Sequence, residues 1–144
     1  MNYQWQRNGV DIAGATSFAY TTLPVSTADS GATFDLVVTN AAGSTTSNTV
    51  TLTVDDTAII TTQPSTQTVN AGQTATYVVA ATSDTTVSYQ WQRNGANVAG
   101  AVSSTYTTPA TIASDDGSAF NVIVTNAAGS VSSNVALLLV NAPP

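Results

Sequence analysis

A repeated seven-residue segment constrains the fold of this chain more than any other feature. Residues 3–9 and residues 89–95 both read Tyr-Gln-Trp-Gln-Arg-Asn-Gly, and they contain both tryptophans and both basic residues of the 144-residue sequence. In a β-strand alternate side chains share a face, so the Tyr and Trp lie on one side and the two Gln on the other. Asn-Gly tolerates the positive φ angles of a tight hairpin turn. Each copy therefore predicts a strand that buries its tryptophan and then turns back.

The repeat extends far beyond these seven residues. Trp5 and Trp91 lie 86 positions apart, and at this offset residues 3–54 align with residues 89–140 without a gap. Residues 38–44 and residues 124–130 are identical. A period of this length is that of a small domain and not that of one turn of a solenoid. The sequence therefore predicts two related domains in tandem.

The composition favours strands over helices. The charged residues are eight Asp and two Arg, and the sequence lacks Glu, Lys, His and Cys. Thr and Val, which favour strands, are abundant, whereas the helix formers Glu and Lys are absent. Residues 49–54 alternate strictly between Thr and an apolar residue, a pattern typical of a strand with one buried face. The predicted class is all-β.

The order of the motifs resembles a known family. Each copy has the Trp segment, then Asp-x-Gly at residues 29–31 or 115–117, then a strand that begins with Phe34 or Phe120 and ends in Asn-Ala-Ala-Gly. This order is similar to that of an immunoglobulin-like β-sandwich. More narrowly, it resembles the cysteine-free, I-set-like tandem repeats of bacterial secreted and surface proteins. The resemblance implies two tandem immunoglobulin-like β-sandwiches, an extracellular or cell-surface location, and a role in adhesion.

The resemblance also identifies the expected core. Antibody-type domains join strands B and F by a disulfide next to the buried Trp. Here the strand B position corresponds to Val79, and the strand F position corresponds to Val122, or to Leu36 in the first copy. Apolar packing therefore replaces the disulfide. The predicted structural core comprises Trp5, Phe34, Leu36, Tyr77, Val79, Trp91, Phe120 and Val122.

The two copies differ in completeness. Residues 1–55 are predicted to form an incomplete domain with strands C to G, residues 56–58 a short linker, and residues 59–144 a complete domain. Counterparts of strands A and B do not precede the first copy, so Trp5, Phe34 and Leu36 should be partly exposed. Two interpretations stay open. The first copy belongs to a longer repeat array, or another chain completes it by β-strand addition, which would build a fibre or a swapped dimer.

The residue inventory argues against an enzyme. Without His, Lys, Glu or Cys, the sequence offers no Ser-His-Asp triad, cysteine nucleophile or Schiff base. A pair of Asp could in principle hydrolyse glycosides. Residues 55–56 and residues 115–116 are such pairs, but neighbours on an extended backbone point apart. We expect a non-catalytic protein without a cofactor.

Calcium is the metal that the remaining carboxylates could hold. Asp55, Asp56 and Asp84 are candidate ligands near the predicted linker, since calcium takes carboxylate and carbonyl oxygens. Their spacing does not match a calcium-binding loop. The alternative is that these side chains cap turns and keep the surface soluble.

The two arginines have a structural and a binding interpretation. Arg7 and Arg93 are expected to pair with Asp29 and Asp115, and each ion pair would fix the loop that precedes the Phe-led strand. Alternatively, an Arg beside the glutamines or an exposed Trp could bind sugar, which would make the chain a carbohydrate-binding accessory module.

Net charge limits the partners. A charge of −6 disfavours nucleic acid and anionic membrane surfaces, and no apolar run is long enough for membrane insertion. We therefore expect a non-catalytic structural or adhesion module. Its expected partners are neighbouring immunoglobulin-like repeats, or identical chains by β-strand addition.

Overall fold

The chain forms two compact units in a computed structural model that describes residues 1–143. The first unit is Met1–Asp55, and the second begins at Asp56. Both consist of β-strands with one short 3-10 turn each, Thr27–Asp29 and Ala113–Asp115. The two units form tandem immunoglobulin-like β-sandwiches, of which the first is incomplete.

The first unit is a single antiparallel sheet. Its strands are β1 (Asn2–Arg7), β2 (Val10–Asp11), β3 (Thr33–Asn40), β4 (Gly43–Thr46) and β5 (Val50–Thr51). The sheet order is β2-β1-β3-β4, and β5 also pairs with β3. Within residues 1–143, this unit has no counterpart of the first strands of the second unit, so one face of its sheet lacks a covering layer.

The second unit contains both layers of the sandwich. Its strands are β6 (Ile59–Thr62), β7 (Gln67–Asn70), β8 (Thr76–Val78), β9 (Ala80–Thr82), β10 (Ser88–Arg93), β11 (Ala96–Asn97), β12 (Thr105–Thr107), β13 (Ser118–Asn126), β14 (Gly129–Ser132) and β15 (Ala136–Asn141). The larger sheet has the order β11-β10-β13-β15-β7, with β14 also paired to β13. The pairs β12-β8 and β6-β9 form the other layer.

The repeated hairpins adopt the predicted turn. Asn8 and Gly9 have φ angles of 50° and 76°, and Asn94 and Gly95 have 49° and 81°. These angles suit Asn-Gly because both residues tolerate the left-handed region. The Asn94 side-chain oxygen also accepts a hydrogen bond from the N–H of Ala119 at 2.8 Å, which fastens the turn to β13.

The core of the second unit follows from strand alternation. Along β13, every second side chain from Ser118 to Asn126 is buried. Burial of the apolar ones removes their surface from water, at about 25 cal/mol per Å². The buried apolar cluster comprises Ala58, Ala75, Tyr77, Val79, Trp91, Ala101, Phe120, Val122, Val124, Ala136, Leu138 and Val140.

Two local expectations differ from the structure. Residues 49–54 form a strand only at Val50–Thr51, whereas β15 is a full strand because β7 pairs along its outer edge. Residues 56–58 are held against the second unit rather than free: Ala58 is buried in its core, and the oxygen of Asp56 accepts a hydrogen bond from Asn126 Nδ2 at 2.6 Å.

Candidate functional site

An aromatic cluster lies at the centre of the second unit. The ring of Tyr77 stacks on Phe120 at 4.9 Å between centroids and lies 6.1 Å from Trp91. Tyr106 closes the cluster, at 6.2 Å from Trp91 and 5.7 Å from Phe120. The indole N–H of Trp91 donates to the oxygen of Ser103 at 2.8 Å, so this buried polar group is satisfied.

The first unit contains the same cluster without the ring of Tyr77. Tyr20 lies 6.3 Å from Trp5 and 6.0 Å from Phe34. Trp5 and Leu36 are partly exposed, but Phe34 is only 8% exposed, so the expected exposure is wrong for Phe34. The physical reason is that Tyr20 packs beside the Phe34 ring, and the guanidinium carbon of Arg7 lies over it at 6.0 Å from the centroid.

Apolar side chains of the first unit are open where their counterparts are buried. Val50 is 59% exposed, whereas Ala136, at the equivalent position of the second unit, is 1% exposed. Leu52 is partly exposed, and its counterpart Leu138 is buried. A cavity of about 230 Å³ lies on this unit, and its lining includes Tyr20, Leu23, Val25 and Leu52.

Tyr20 and Tyr106 were missed as core residues by the sequence analysis. They occupy equivalent positions in stretches rich in Thr and Ser, and nothing in the local alternation marks them as central. The signal that could have found them is the repeat itself, because a tyrosine recurs at the 86-residue offset, 15 positions after each Trp.

Each arginine pairs with the aspartate at the corresponding 3-10 turn. Arg7 Nη2 lies 2.7 Å from Asp29 Oδ1, and Arg93 Nη2 lies 2.7 Å from Asp115 Oδ1. Arg93 also donates to Ser118 Oγ at 2.8 Å. Each ion pair therefore forms inside one unit, and the side chains of Arg7 and Arg93 stay 42% and 39% exposed.

The two aspartates also bind the backbone of their turns. Asp115 Oδ2 accepts a hydrogen bond from the N–H of Ile112 at 2.8 Å, and Asp29 Oδ2 accepts one from Ser26 at 2.9 Å. These backbone hydrogen bonds, and then the arginine, lower the pKa of each carboxyl group below its usual value of 3.8. The carboxylates stay ionised and fix their loops, and they are not poised as acids.

The glutamines beside the tryptophans have internal partners. Gln90 Nε2 donates to the oxygens of Trp91 and Val98, both at 2.9 Å. Gln92 Nε2 donates to Asn97 Oδ1 at 2.8 Å. Gln4 and Gln6 make the matching bonds in the first unit. The sequence placed these side chains on the polar face but did not reveal that they brace the hairpin.

The other aspartates are spread over separate structural roles. Asp56 N–H donates to Asp84 Oδ2 at 3.3 Å, and Val140 N–H donates to Asp116 Oδ1 at 2.8 Å. Asp55 belongs to the first unit, and Asp56 to the second. Across residues 1–143, no three metal-ligating side chains converge on one point. The part of the chain that the structure describes also contains no helix with the length and hydropathy needed to cross a membrane.

Tyr77, at the centre of the aromatic cluster, has a raised pKa. Burial of its ring raises the pKa to about 12, and its hydroxyl donates to the oxygen of Leu137 at 3.1 Å. In the unfolded chain the pKa is near 10.0, so the unfolded state loses the proton first as pH rises. Its contribution to stability is therefore intact below about pH 10 and is lost as pH rises towards 12.

Removing this hydroxyl should change the alkaline stability of the second unit. We expect Tyr77→Phe to flatten the fall of unfolding free energy between about pH 10 and pH 12. Urea denaturation at several alkaline pH values measures this dependence. Tyr89→Phe is the control, because Tyr89 is a half-buried tyrosine on β10 of the same unit. An equal flattening in both variants would contradict the assignment to Tyr77.

Comparison with known proteins identifies the fold. The sequence matches no protein-family model and no curated protein sequence. The I-band fragment I67–I69 of titin is similar at 16% identity over 98% of this chain and 55% of its own, with a TM-score of 0.78. Extracellular domains 3–5 of Drosophila OTK are similar at 18% identity over 96% of this chain and 51% of theirs, with a TM-score of 0.69.

A third structure has a similar length. The tandem Ig repeats of Dlar are 20% identical over 98% of this chain and 82% of theirs, with a TM-score of 0.56. The chain spans about half the length of the titin and OTK structures. At such identities the likeness shows the fold alone. The chain is thus a pair of immunoglobulin-like β-sandwich units in tandem, similar in fold to these parts of titin, OTK and Dlar.

Proposed function

We propose that the chain is a non-catalytic extracellular structural and adhesion module, an I-set-like repeat of a bacterial surface or secreted protein. The observation that carries the proposal is the parallel pairing of β7 with β15. These strands lie near the beginning and the end of the second unit, and four residue pairs join them, from Gln67–Leu138 to Asn70–Asn141. The neighbouring repeats of such a protein are its partners.

This pairing suits a unit that carries tension. A pull on the two ends of the second unit draws β7 and β15 in opposite directions along their length. The backbone hydrogen bonds between two parallel strands then all bear the force at once, so they do not break one after another. The N–H of Ala71, just beyond β7, adds a bond to the oxygen of Asn141 at 2.9 Å. A repeat built in this way would space or display other parts of a surface protein without a ligand of its own.

Pulling single molecules tests this role. We expect the second unit to unfold in one step that releases about 300 Å of chain, at about 3.3–3.6 Å per residue for residues 56–143. Ala71→Pro removes the N–H that donates to Asn141 and should lower the unfolding force. Force spectroscopy on the full chain measures both quantities.

A second proline variant controls for general destabilisation. Val102 is exposed, and its N–H donates only to the nearby oxygen of Gly100. Val102→Pro should therefore leave the unfolding force close to that of the unaltered chain. If both variants lowered the unfolding force equally, the idea that the β7–β15 pair resists the pull would be contradicted.

Sugar binding has less support than the structural role. The Trp91 ring is buried, and the polar groups of Arg93, Gln90 and Gln92 are engaged with Asp115, the backbone and Asn97. A sugar-binding surface needs an accessible aromatic face and free polar groups beside it. Of the two tryptophans, only Trp5 is partly exposed.

Fibre formation by exchange between identical chains is limited by the number of donor segments. Residues 1–143 contain one segment with β6, β8 and β9, but two sheets that such a segment could cover. A chain that donates this segment to a neighbour uncovers its own second unit. The exchange therefore covers no more apolar surface than the separate chains do, and it lacks a hydrophobic driving force.

A further inference from the structure

We propose that Asn94 is a site of spontaneous covalent modification that reacts only when β10 separates from β13, and that the main product prevents the hairpin from closing again. Asn94-Gly95 and Asn8-Gly9 are the two Asn-Gly pairs of the sequence. Asparagine is a thermolabile residue. A following glycine favours its reaction, because no side chain shields the glycine nitrogen.

The reaction needs only the chain and water. The backbone nitrogen of Gly95 attacks Cγ of Asn94 and closes a succinimide ring, while the bond from Cγ to the side-chain nitrogen breaks. The proton of the Gly95 N–H leaves with that nitrogen as ammonia. Water then opens the ring at either carbonyl. The product is an aspartate or an isoaspartate, and in the isoaspartate the main chain runs through the former side chain.

The hairpin turn itself favours this reactive pair. Asn94 and Gly95 have φ angles of 49° and 81°, a region that Asn and Gly tolerate better than other residues do. A Cβ atom at Gly95 would meet no atom within 4 Å, so the backbone conformation, and not packing, favours glycine there. The turn therefore keeps a pair of residues that is chemically labile.

Hydrogen bonds to β13 restrain Asn94 while the second unit is folded. Its side-chain oxygen accepts from the N–H of Ala119 at 2.8 Å, and its own N–H donates to the oxygen of Ala119 at 2.7 Å. The carboxamide must leave this partner on another strand before Cγ can move onto the nitrogen of Gly95. Asn94 is exposed to water, so this restraint, and not burial, separates it from the reaction.

The first copy has the same restraint. Asn8 N–H donates to the oxygen of Thr33 at 2.8 Å, and Asn8 Oδ1 accepts from the N–H of Thr33 at 2.9 Å. The recurrence of both bonds at the 86-residue offset indicates that the restraint is a property of the repeat.

The isoaspartate product does not fit the turn. It adds one carbon to the main chain between Arg93 and Ala96, which pair with each other across the turn. Turn length fixes the register of a hairpin, so a longer turn shifts β11 against β10. A unit that has reacted therefore cannot close as before, and the modification accumulates with the time that the unit spends open.

Ageing of the full chain in a mildly alkaline buffer tests the restraint. Peptide mass spectrometry with fragmentation follows Asn94, and a peptide of residues 88–101 in the same buffer gives the rate without the fold. We expect the folded chain to react at least about a hundredfold more slowly than the peptide. Asn97 is the internal control: it is also exposed, but the side chain of Val98 shields the next nitrogen, so it should stay unmodified. Equal Asn94 rates in chain and peptide overturn the proposal.

Two truncations test whether the reaction follows opening of the second unit. Val79→Ala removes a buried side chain from the layer opposite β10 and β13, and we expect Asn94 to react at least about tenfold faster. Leu52→Ala in the first unit is the control and should leave the Asn94 rate unchanged. Urea below the unfolding midpoint should accelerate the unaltered chain as well. If neither Val79→Ala nor urea changes the rate, the reaction occurs in the closed turn and the proposal is wrong.

Refolding tests the effect of the product. Chains aged in urea are returned to buffer, and amide exchange compares the isoaspartate fraction with Asn94→Asp, which has the same charge without the extra carbon. We expect Asn94→Asp to keep the protection of β10 and β13, because a carboxylate also accepts from Ala119, and the isoaspartate fraction to lose it. Full protection in both overturns the proposal. No result here depends on the unfolding force of the second unit, so this site and the structural role can fail separately.

Discussion

Trp91→Ala is expected to unfold the second unit under conditions in which the unaltered chain is folded. The indole is fully buried among Tyr77, Tyr106 and Phe120, and truncation of a buried tryptophan costs about 3–5 kcal/mol. A small domain is stable by only about 5–15 kcal/mol, so the loss is a large part of the total. The Ser103 oxygen would also lose its indole donor.

Amide hydrogen exchange measures this loss within the second unit. We expect protection of β10 and β13 to fall by at least about a hundredfold, because a tenfold change corresponds to about 1.4 kcal/mol. Trp5→Ala is the matched control, since Trp5 stands at the equivalent position but is partly exposed. Its effect on the exchange of β1 and β3 should be smaller. Equal losses of protection would contradict the difference in burial.

Leu138→Ala is expected to lower the free energy of unfolding of the second unit by about 2–5 kcal/mol. Leu138 is buried on β15, and its strand joins β13 on one side and β7 on the other. The truncation removes apolar contacts and leaves a cavity that the two flanking strands cannot close. Urea denaturation in a Trp5→Phe background measures the change, because Trp91 is then the single tryptophan that reports on unfolding.

Leu52→Ala is the matched truncation in the first unit. The backbone of Leu52 is held as that of a strand residue, with its N–H donating to the oxygen of Ala32 and its oxygen accepting from Gly31, both at 2.8 Å. Its side chain is partly exposed, however, so truncation removes less buried surface. We expect a loss of about 1 kcal/mol, read from amide exchange in β3. A loss as large as that of Leu138→Ala would show that the side chain is covered in solution.

Much of the fold could be predicted because local chemistry and the repeat agree. Asn-Gly specified the hairpin turn after each Trp segment, and alternation specified the buried face of β13. Because the two copies align at an offset of 86 residues, each strand or turn assigned in one copy could also be assigned in the other. Such features are local, so they can be read from neighbouring residues without knowledge of the tertiary contacts.

The remaining features depend on contacts between distant segments. Residues 49–54 alternate between Thr and apolar residues, whereas the equivalent residues 135–140 are all apolar. Only β15 is nevertheless a full strand, because β7 pairs with it. Phe34 is buried although its unit lacks a covering layer, because Tyr20 and Arg7 lie against its ring. Neither contact leaves a periodic signal in the sequence around Phe34.

The sequence by itself determined the all-β class, the tandem repeat and the tryptophan strand at the centre of each copy, because strand propensity, alternation and turn chemistry act over a few residues. The tertiary structure decided which equivalent side chains are buried. Trp91 and Trp5 have the same neighbours along the chain, but Tyr77 packs only on Trp91. Burial depends on what packs across the sheet, and the segment that provides it lies distant in sequence from the residue that it covers.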